Sequence, residues 1–416
     1  MRDMLGREDA ISVAEAQRRM MGHSTLREPE ALNLSVDHGY GRILSQDVFS
    51  PEDMPGFSRS TVDGYAVKSS DTFGASEGLP AYLTMAGEIL MGEEPSFKQR
   101  KGTAVKISTG GMLPEGADAV VMLEHSQSVD NSLIEIFRPV GPRENVITAG
   151  EDMKKGDLLL KKGSILRPQD IAALAGVGAQ SVMVYEKPRV SIISTGDEIV
   201  TIESPLRPGQ VRDINSFSLA GLIQEEGGVP VKKGILRDVY EEIRRAVQES
   251  LDECDMVLIT GGSSVGARDM TGEIINSLGS PGVLFHGVAL KPGKPTIGAV
   301  LKGIPVFGLP GHPAAVVVCF DIFIKPILRV LSGRRIKSWE GRGRVRARLT
   351  KNISSTVGRE EHIRVSLEEK DGALCALPVL GKSGLIRTLV KADGTIVIPP
   401  EARGIEEGAI VDVILF

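Results

Sequence analysis

Short apolar runs with alternating polar positions dominate the first third of the chain. The segments AYLTMAGEIL (81–90), GTAVKIST (102–109) and SLIEIF (132–137) lie between stretches rich in Gly, Pro, Asn and Asp. Runs of this length and texture are typical of β-strands separated by turns. The pattern therefore predicts a β-rich domain that begins near residue 33.

Helical signals flank this region. Ser12 and Glu15 have the spacing of a capping box, which predicts a helix that runs to about Met21. Pro168 opens a second helical segment, and Gly176 ends it. The polar, Gly-rich stretch 141–157 between the strands and this second helix is a plausible connector.

Strands and helices alternate from about Lys187. The apolar runs 189–194, 255–260 and 304–308 have the composition of buried strands. A helix is predicted over Val239–Leu251, because its apolar residues recur at helical spacing. This alternation predicts a parallel sheet covered on both faces by helices.

Two further elements complete the predicted order. Asn215 is expected to cap a helix that ends at the glycine pair 227–228. A Gly- and Arg-rich linker near 332–343 leads to four strand-like runs, which predict a C-terminal β module.

Composition excludes several classes of protein. The 416 residues predict about three domains. A net charge of -5 and an aromatic content of 4% argue against binding to nucleic acid or to anionic membranes. No apolar run approaches the ~18 residues of a membrane span, and the N-terminus does not resemble a signal peptide. Three separated cysteines, Cys254, Cys319 and Cys375, predict no disulfide framework or structural zinc and indicate a reducing cytosol.

Three unusual loops follow the predicted parallel strands, at 194–198, 260–269 and 308–313. Ligands of open α/β sheets bind beyond the carboxyl ends of the strands. The three loops are therefore expected to converge on one edge of one domain.

The second loop is the most informative of the three. Gly261 and Gly262 can turn their amides toward an anion, and Ser263 and Ser264 add hydroxyl donors. Asp269 is well placed for Mg²⁺, which favours carboxylate and phosphate oxygens. The loop is not a P-loop, because the GK[ST] ending is absent. A flexible turn is the alternative interpretation.

Charged residues stand out in three other places. Asp197 and Glu198 lie at a strand tip, where they could serve a ligand or simply favour the start of a helix. Lys291 and Lys294 lie on a proline-rich turn that could hold a phosphate or oxyanion, or could be a solvated basic turn. The Pro-Gly-His-Pro turn at 310–313 could fix the direction of the backbone against a ligand, or it could be purely structural. The residues alone indicate a magnesium-assisted, phosphate-bearing ligand at the edge of an α/β sheet.

Seven motifs, in order, resemble those of the molybdopterin molybdotransferases of the MoeA type, a family that includes the E domain of gephyrin. The resemblance covers essentially the whole chain. The motifs are Pro55-Gly-Phe with Val-Asp63-Gly-Tyr65-Ala, Ile107-Ser-Thr109-Gly, Ala149-Gly-Glu151-Asp152, Ser194-Thr-Gly-Asp-Glu198, Gly261-Gly-Ser-Ser-Val-Gly with Asp269, Lys291-Pro-Gly-Lys294-Pro and Gly308-Leu-Pro-Gly-His-Pro313.

The resemblance implies a multidomain α/β fold and a homodimer whose subunits have four domains. These would be a discontinuous linking domain (1–32 plus 145–186), a β-rich inserted domain (33–144), an α/β molybdopterin-binding domain with a parallel sheet (187–333) and a C-terminal β-barrel-like domain (340–416). In such a dimer the active site lies between the α/β domain of one subunit and the β-rich domain of the other.

The implied reaction is the insertion of molybdate, or tungstate, into adenylylated molybdopterin. AMP is released, Mg²⁺ is required, and the reaction belongs to molybdenum cofactor biosynthesis in the cytoplasm. The enzyme that adenylylates the pterin is an expected partner. Two alternatives stay open: an adenylyltransferase acting on molybdopterin, and a non-enzymatic scaffold of the gephyrin E-domain type.

The resemblance also assigns candidate residues to three roles. Catalytic candidates are Asp63, Thr109, Glu198 and Asp269, and the metal candidates are Glu198, Asp238 and Asp269. Substrate-binding candidates are Asp152, Asp238, Gly261, Gly262, Ser263, Ser264, Lys291, Lys294, Pro310, Gly311, His312 and Pro313. His312 replaces the asparagine that is frequent in the family, and it is larger than that asparagine.

Overall fold

The computed structural model describes residues 10–26, 28–130, 132–261, 265–335 and 343–416, without the side chains of 265–269. No helix among these residues has both the length and the apolar composition needed to cross a membrane. The helices are α1 Val13–His23, α2 Pro168–Gly176, α3 Asn215–Glu225, α4 Tyr240–Glu253, α5 Val265–Ser277, α6 Pro313–Cys319, α7 Lys325–Leu331 and α8 Arg387–Val390.

The strands fall into three stretches of the chain. Before residue 186 they are β1 Ala31–Ser35, β2 Val48–Phe49, β3 Arg59–Ser60, β4 Gly64–Val67, β5 Ala81–Ile89, β6 Thr103–Ile107, β7 Ala119–Met122, β8 Ser126–Ser128, β9 Leu133–Ile136, β10 Val146–Ile147, β11 Leu158–Leu160 and β12 Ser181–Tyr185. From 189 to 309 they are β13 Arg189–Thr195, β14 Ile199–Val200, β15 Val211–Arg212, β16 Val229–Leu236, β17 Met256–Gly261, β18 Pro281–His286, β19 Leu290–Lys291, β20 Ile297–Leu301 and β21 Ile304–Leu309. After 343 they are β22 Arg344–Leu349, β23 Ile353–Ser354, β24 Glu360–Lys370, β25 Ala373–Pro378, β26 Gly394–Ile398, β27 Gly404–Ile405 and β28 Ile410–Leu415.

The α/β domain contains a six-stranded sheet in the order β16-β13-β17-β21-β20-β18. The predicted strands β13, β17 and β21 run parallel to one another and to β16. The last two strands, β20 and β18, are antiparallel, which the sequence did not predict. The two-residue turn Lys302–Gly303, in which both residues have positive φ, forms a tight β-hairpin that reverses the chain between β20 and β21.

Helices cover both faces of this sheet. α3 and α6 pack on one face, and α4 and α5 pack on the other. The predicted helical spacing on α4 is confirmed, because Ile243 and Val247 are buried against the sheet. The capping box of α1 is confirmed in its first half, since the Ser12 hydroxyl accepts from the Glu15 amide at 3.2 Å.

The β-rich domain is a six-stranded sheet in the order β7-β4-β6-β5-β9-β8, with buried apolar clusters on both faces. A smaller unit lies beside it, in which β1 pairs with β12 and β2 pairs with β11. Helix α2 spans the predicted Pro168–Gly176 and packs into this smaller unit through Leu174.

The domain division stays a prediction, and packing refines two of its boundaries. Residues 31–49 pair with the second part of the linking domain, whereas the predicted boundary at 33 gave most of them to the β-rich domain. Helix α1 was assigned to the linking domain, but its Ala16 and Met20 are buried in the core of the α/β domain. Both shifts follow from contacts between residues far apart in sequence.

The C-terminal domain is a closed barrel of β24, β25, β22, β28 and β26, because β26 pairs back onto β24. A sixth strand, β19, comes from the α/β domain and pairs in parallel with the start of β24. The closure of β26 onto β24 confirms the predicted barrel-like module. The pairing of β19 with β24 attaches the barrel to the α/β domain.

Candidate active site

A cavity of about 500 Å³ lies between the α/β domain and the barrel. The α/β domain contributes residues 290–295 and the Pro310–His312 segment. The barrel contributes Arg359, residues 361–364 and residues 379–383. The cavity therefore joins the predicted proline-rich turn at 291–294 and the predicted loop at 308–313 with a wall that the sequence did not indicate.

Five basic side chains contribute to the lining of this cavity. They are Lys291, Lys294, Arg359, Arg364 and Lys382. Arg364 is buried, and this burial lowers the pKa of its guanidinium. Because cationic N–H groups bind carboxylates and oxyanions most strongly, the cavity suits an anion.

One carboxylate opposes these cations. Glu361 is only 3% exposed, and it pairs with the ammonium group of Lys291. Its other oxygen accepts from the Ser355 hydroxyl at 2.8 Å. The sequence left Lys291 either in an anion site or on a solvated basic turn; in the structure its charge is met by Glu361.

The turn that carries the two lysines is shaped by Gly293. Its φ of 129° lies in the region that favours glycine. A Cβ at this position would meet Leu290 Cδ2 at 2.8 Å and Cys319 Sγ at 2.9 Å. The Thr296 hydroxyl donates to the Gly293 carbonyl at 2.6 Å, so the turn is fixed from inside the domain.

The Pro310–Pro313 turn is held by side chains from both domains. The amide of Asn215 donates to Gly311 O at 2.9 Å and to Thr260 Oγ1 at 3.0 Å. The prediction that Asn215 caps α3 is therefore wrong, since its side chain bonds across the sheet edge instead. On the other side, His312 Nδ1 lies 2.8 Å from the Ser383 hydroxyl of the barrel. Pro313 is buried and occupies the first turn of α6.

Three acidic residues gather at the ends of β13 and β16. The pKa of Asp238 is raised, first by burial and then by the charges of Asp197 and Glu198. Asp238 Oδ1 is buried without a hydrogen-bond partner. Within the part of the chain whose side chains are described, no three His, Cys, Asp or Glu residues are arranged to hold a metal ion. The third predicted metal ligand, Asp269, has its backbone in α5 and its side chain outside this description.

The glycine-rich loop is only partly described. Gly261 ends β17 with a φ of 133°, and a Cβ there would lie 1.8 Å from Thr195 O. The remaining predicted residues, Gly262, Ser263 and Ser264, lie outside the described residues. The predicted anion-binding role of this loop stays a prediction.

A second group of loops forms on the β-rich domain. Thr109 donates to Asp63 Oδ1 through its amide at 2.7 Å and its hydroxyl at 3.0 Å. These two bonds, the backbone bond first, lower the pKa of Asp63. Residues 58–60 connect the motifs, because Ser60 bonds to Gly111 and Ser58 accepts from Ala149.

The predicted residues thus fall into three groups, one of which is the acidic group with Glu198 and Asp238 at the ends of β13 and β16. Asp63, Thr109 and the exposed Asp152 belong to loops of, or next to, the β-rich domain, and none of them lines the described cavity. Lys291, Lys294, Pro310, Gly311 and His312 do line it. Their individual roles stay predictions.

The sequence interpretation missed the barrel wall of the cavity, namely Arg359, Arg364, Lys382 and Ser383. A signal was present, because three basic residues and no acid occur between Leu380 and Ala392. Its meaning depends on a contact between domains, which the sequence pattern did not show.

Comparison with known proteins gives the same order of domains. Three family models match: the MoeA N-terminal region (domain I and II) at residues 11–178, a probable molybdopterin binding domain at 191–330, and the MoeA C-terminal region (domain IV) at 346–416. Together they cover most of the chain.

Individual relatives match over nearly their full length. A molybdopterin molybdenumtransferase from Bacillus subtilis is 34% identical over 99% of this chain and 95% of its own. Two solved structures of a molybdopterin biosynthesis MoeA protein from Pyrococcus horikoshii are 39% and 33% identical, with TM-scores of 0.83 and 0.84. They cover 98% of this chain, and 99% and 100% of their own. With its sheet-edge loops, cation-lined cavity and barrel, the chain belongs to the MoeA family of molybdopterin molybdenumtransferases, enzymes of molybdenum cofactor biosynthesis.

Proposed function

We propose that this enzyme inserts molybdate into adenylylated molybdopterin and releases AMP. The observation that carries the proposal is the cavity between the α/β domain and the barrel, lined by Lys294, Arg364 and Lys382. Molybdate and the adenylate phosphates are all anions, and cationic donors in a partly enclosed site bind such groups well. Tungstate has the same charge and shape and would enter the same cavity.

The protein's part in this reaction is to bind and orient two anions. The dithiolene sulfurs of the substrate take the metal, so no cluster of protein thiols is needed. Lys294, Arg364 and Lys382 would hold the oxyanion near the sheet edge. The proline-rich turn at 310–313, held by Asn215, would keep one wall of the site in place.

We include magnesium in the proposal because the acidic group at the sheet edge fits it. Asp238 Oδ1 is buried without a partner, and Asp197 and Glu198 raise the pKa of the same carboxyl group. A divalent cation would satisfy this oxygen and relieve the repulsion. Glu198 and Asp238 would hold the ion together with Asp269. Bound magnesium would neutralise charge on the phosphoanhydride as it is cleaved.

The test of function is a single-turnover assay. The protein is incubated with adenylylated molybdopterin, magnesium and molybdate, and AMP is measured with and without each component. AMP release that depends on both molybdate and magnesium is the expected result. Release without molybdate would end the proposal, and consumption of ATP with free molybdopterin would favour the adenylyltransferase.

We also propose that the active enzyme is a homodimer with sites shared between subunits. Asp63 and Thr109 do not line the described cavity, so a second copy would have to bring them to it. The stretch that follows the acidic pair exposes the large apolar side chains of Ile202, Leu206 and Phe217, which are of the kind that protein interfaces bury.

Mixing two inactive variants tests this sharing. Asp63→Asn and Lys294→Ala would each lack one half of every site. Subunit exchange between them would give mixed dimers with one intact site, and activity would recover to about a quarter of the wild-type value. No recovery after proven exchange would contradict a shared site.

A cytoplasmic location is part of the proposal. Cys254, Cys319 and Cys375 are buried, unpaired thiols, which suits a reducing compartment. Burial raises the pKa of Cys319 to about 12, so this thiol stays protonated.

A further inference from the structure

His312 and Ser383 meet at the cavity although 71 residues separate them in sequence. The ring nitrogen Nδ1 lies 2.8 Å from the serine hydroxyl. The backbone strengthens this connection, because the amide of Ala314 donates to the Ser383 carbonyl at 3.2 Å. His312 belongs to the α/β domain and Ser383 to the barrel, so these bonds connect the two walls of the cavity.

We propose that His312 is a positioning residue that directs the Ser383 hydroxyl to donate to an oxyanion in the cavity. The inference rests on the proposed function, and it concerns a residue that acts through another one. A serine hydroxyl has one hydrogen to donate and two lone pairs with which to accept. If Nδ1 carries a hydrogen and donates it to Ser383, the serine hydrogen is left for a ligand.

The charges around the pair support this direction of the bond. Lys294, Arg364 and Lys382 line the same cavity, and all three are donors without acceptor capacity. An anion attracted by these groups needs further donors on its remaining oxygens. Ser383 can supply one only when its hydrogen is not used in a bond to the histidine ring.

The rival explanation is that the ring merely fills space. His312 Cδ2 lies 3.5 Å from the position that a Cβ on Gly384 would take, which is ordinary van der Waals distance. In that case any side chain of similar size would serve. The two explanations differ in what leucine and asparagine should do at position 312.

The experiment measures the affinity of the full-length protein for molybdate, and separately for tungstate, by calorimetry without pterin. His312→Leu fills space but cannot donate, and we expect it to weaken binding by about tenfold, the effect of one hydrogen bond to a charged ligand. His312→Asn retains an N–H donor and should bind within about threefold of the wild type. Ser383→Ala should lose about as much as His312→Leu.

The double variant His312→Leu/Ser383→Ala provides the decisive comparison. If the histidine acts through the serine, the double variant binds no more weakly than Ser383→Ala alone. In the AMP-release assay, His312→Leu should raise KM for molybdate and leave kcat nearly unchanged. His38→Leu, the same change at an exposed residue outside the cavity, should alter neither quantity.

Several results would overturn the inference. The first is unchanged oxyanion affinity in His312→Leu. The second is an affinity of His312→Asn as low as that of His312→Leu, and the third is additive losses of affinity in the double variant. Should His312→Leu fail to fold, judged by its melting temperature, His312→Ala takes its place in the same cycle. If the wild type itself binds neither oxyanion, the proposed function fails, which is a distinct outcome.

Discussion

Glu226 shows how strongly one residue can depend on its neighbours. Its side chain is 6% exposed and lies 2.7 Å from both Lys325 Nζ and Arg329 Nε. Burial alone would raise the pKa of this carboxyl group, but its bonds to Arg329 and Lys325 outweigh burial and lower the pKa below 4.5. The charged form of Glu226 therefore stabilises the fold.

Glu226→Gln should lower the free energy of unfolding by about 3 kcal/mol at pH 7, because the buried Lys325 and the mostly buried Arg329 lose this carboxylate. A carboxyl group with a lowered folded-state pKa stabilises above its unfolded pKa and loses this effect as the pH falls. The difference between variant and wild type should therefore shrink below pH 4.5. Urea unfolding at several pH values measures this difference. Glu249→Gln, on the exposed surface of α4, is the control. A difference between Glu226→Gln and the wild type that does not change with pH would contradict the prediction.

Thr109 should control the ionisation of Asp63. The backbone amide and the hydroxyl of Thr109 both lower the pKa of Asp63. Thr109→Val removes the hydroxyl donor, so the pKa of Asp63 should rise and the acid limb of the AMP-release rate should move to higher pH. Thr109→Ser, which keeps the donor, should leave the limb in place. An identical limb in both variants would mean that Asp63 need not be ionised.

At this scale the sequence identified residues better than their roles. Asn215 precedes an apolar helix, so its type suggested a cap, but its amide bonds Thr260 and Gly311 across the sheet edge. Lys291 was recognised as a cation, but its partner Glu361 lies 70 residues away. Partners that distant leave no local pattern to detect.

Among the elements, β13 and β17 depend on one glycine. Gly261 lies beside Thr195 in the parallel pairing of these strands. A Cβ on Gly261 would lie 1.8 Å from Thr195 O, and the φ of 133° disfavours other residues. The close approach of the two strand ends therefore requires glycine at this position.

Gly261→Ala should destabilise the protein by more than about 3 kcal/mol, since both backbone strain and a clash must be relieved. Gly272→Ala is the matched control, because it lies within α5 with nothing within 4 Å of the new Cβ. Alanine there should be neutral or stabilising by about 1 kcal/mol. Guanidinium unfolding of both variants measures the contrast, and equal effects would refute the role of Gly261.

Element types were predictable where one periodicity dominated. The amphipathic pattern of α4 has a clear helical period, whereas β13, β17 and β21 were recognised as continuous apolar runs. Strand direction was not predictable in the same way. β20 is apolar like the parallel strands of the same sheet, and only the turn at 302–303 shows that β20 and β21 are antiparallel.

At the scale of the whole molecule, the barrel is attached to the α/β domain through β19. The amide of Glu360 donates to Ala289 O at 2.9 Å, and Lys291 pairs with the buried Glu361 beside it. The cavity lies next to this attachment. Its shape therefore depends on a connection between domains rather than on either domain alone.

Lys291→Met should loosen this attachment, because Glu361 would be buried without its cation. We expect faster hydrogen exchange at the amide of Glu360 and at its neighbours in β24, and no change in the β-rich sheet. Lys302→Met, which breaks an exposed pair with Asp252, is the control and should change neither region. Unchanged exchange in β24 would show that the strand pairing alone holds the barrel.

The sequence indicated each domain but not how the domains meet. The four-domain division came from ordered motifs, whereas the cavity combines residues 290–295 with residues 359–383. Neither stretch of sequence by itself indicates a cavity. Only the fold brings them together.

The pairing of β19 with the barrel also constrains how such proteins could be recombined. A cut in the linker near residue 340 would appear to divide the gene cleanly between two modules. In the folded chain, however, β19, the strand that pairs with the first long strand of the barrel, lies about 50 residues before that cut. A barrel from a relative, joined at the linker, would have to pair with a β19 strand and a Lys291 that match a different barrel. Exchange of this module between relatives should therefore succeed only when residues 289–292 are exchanged with it.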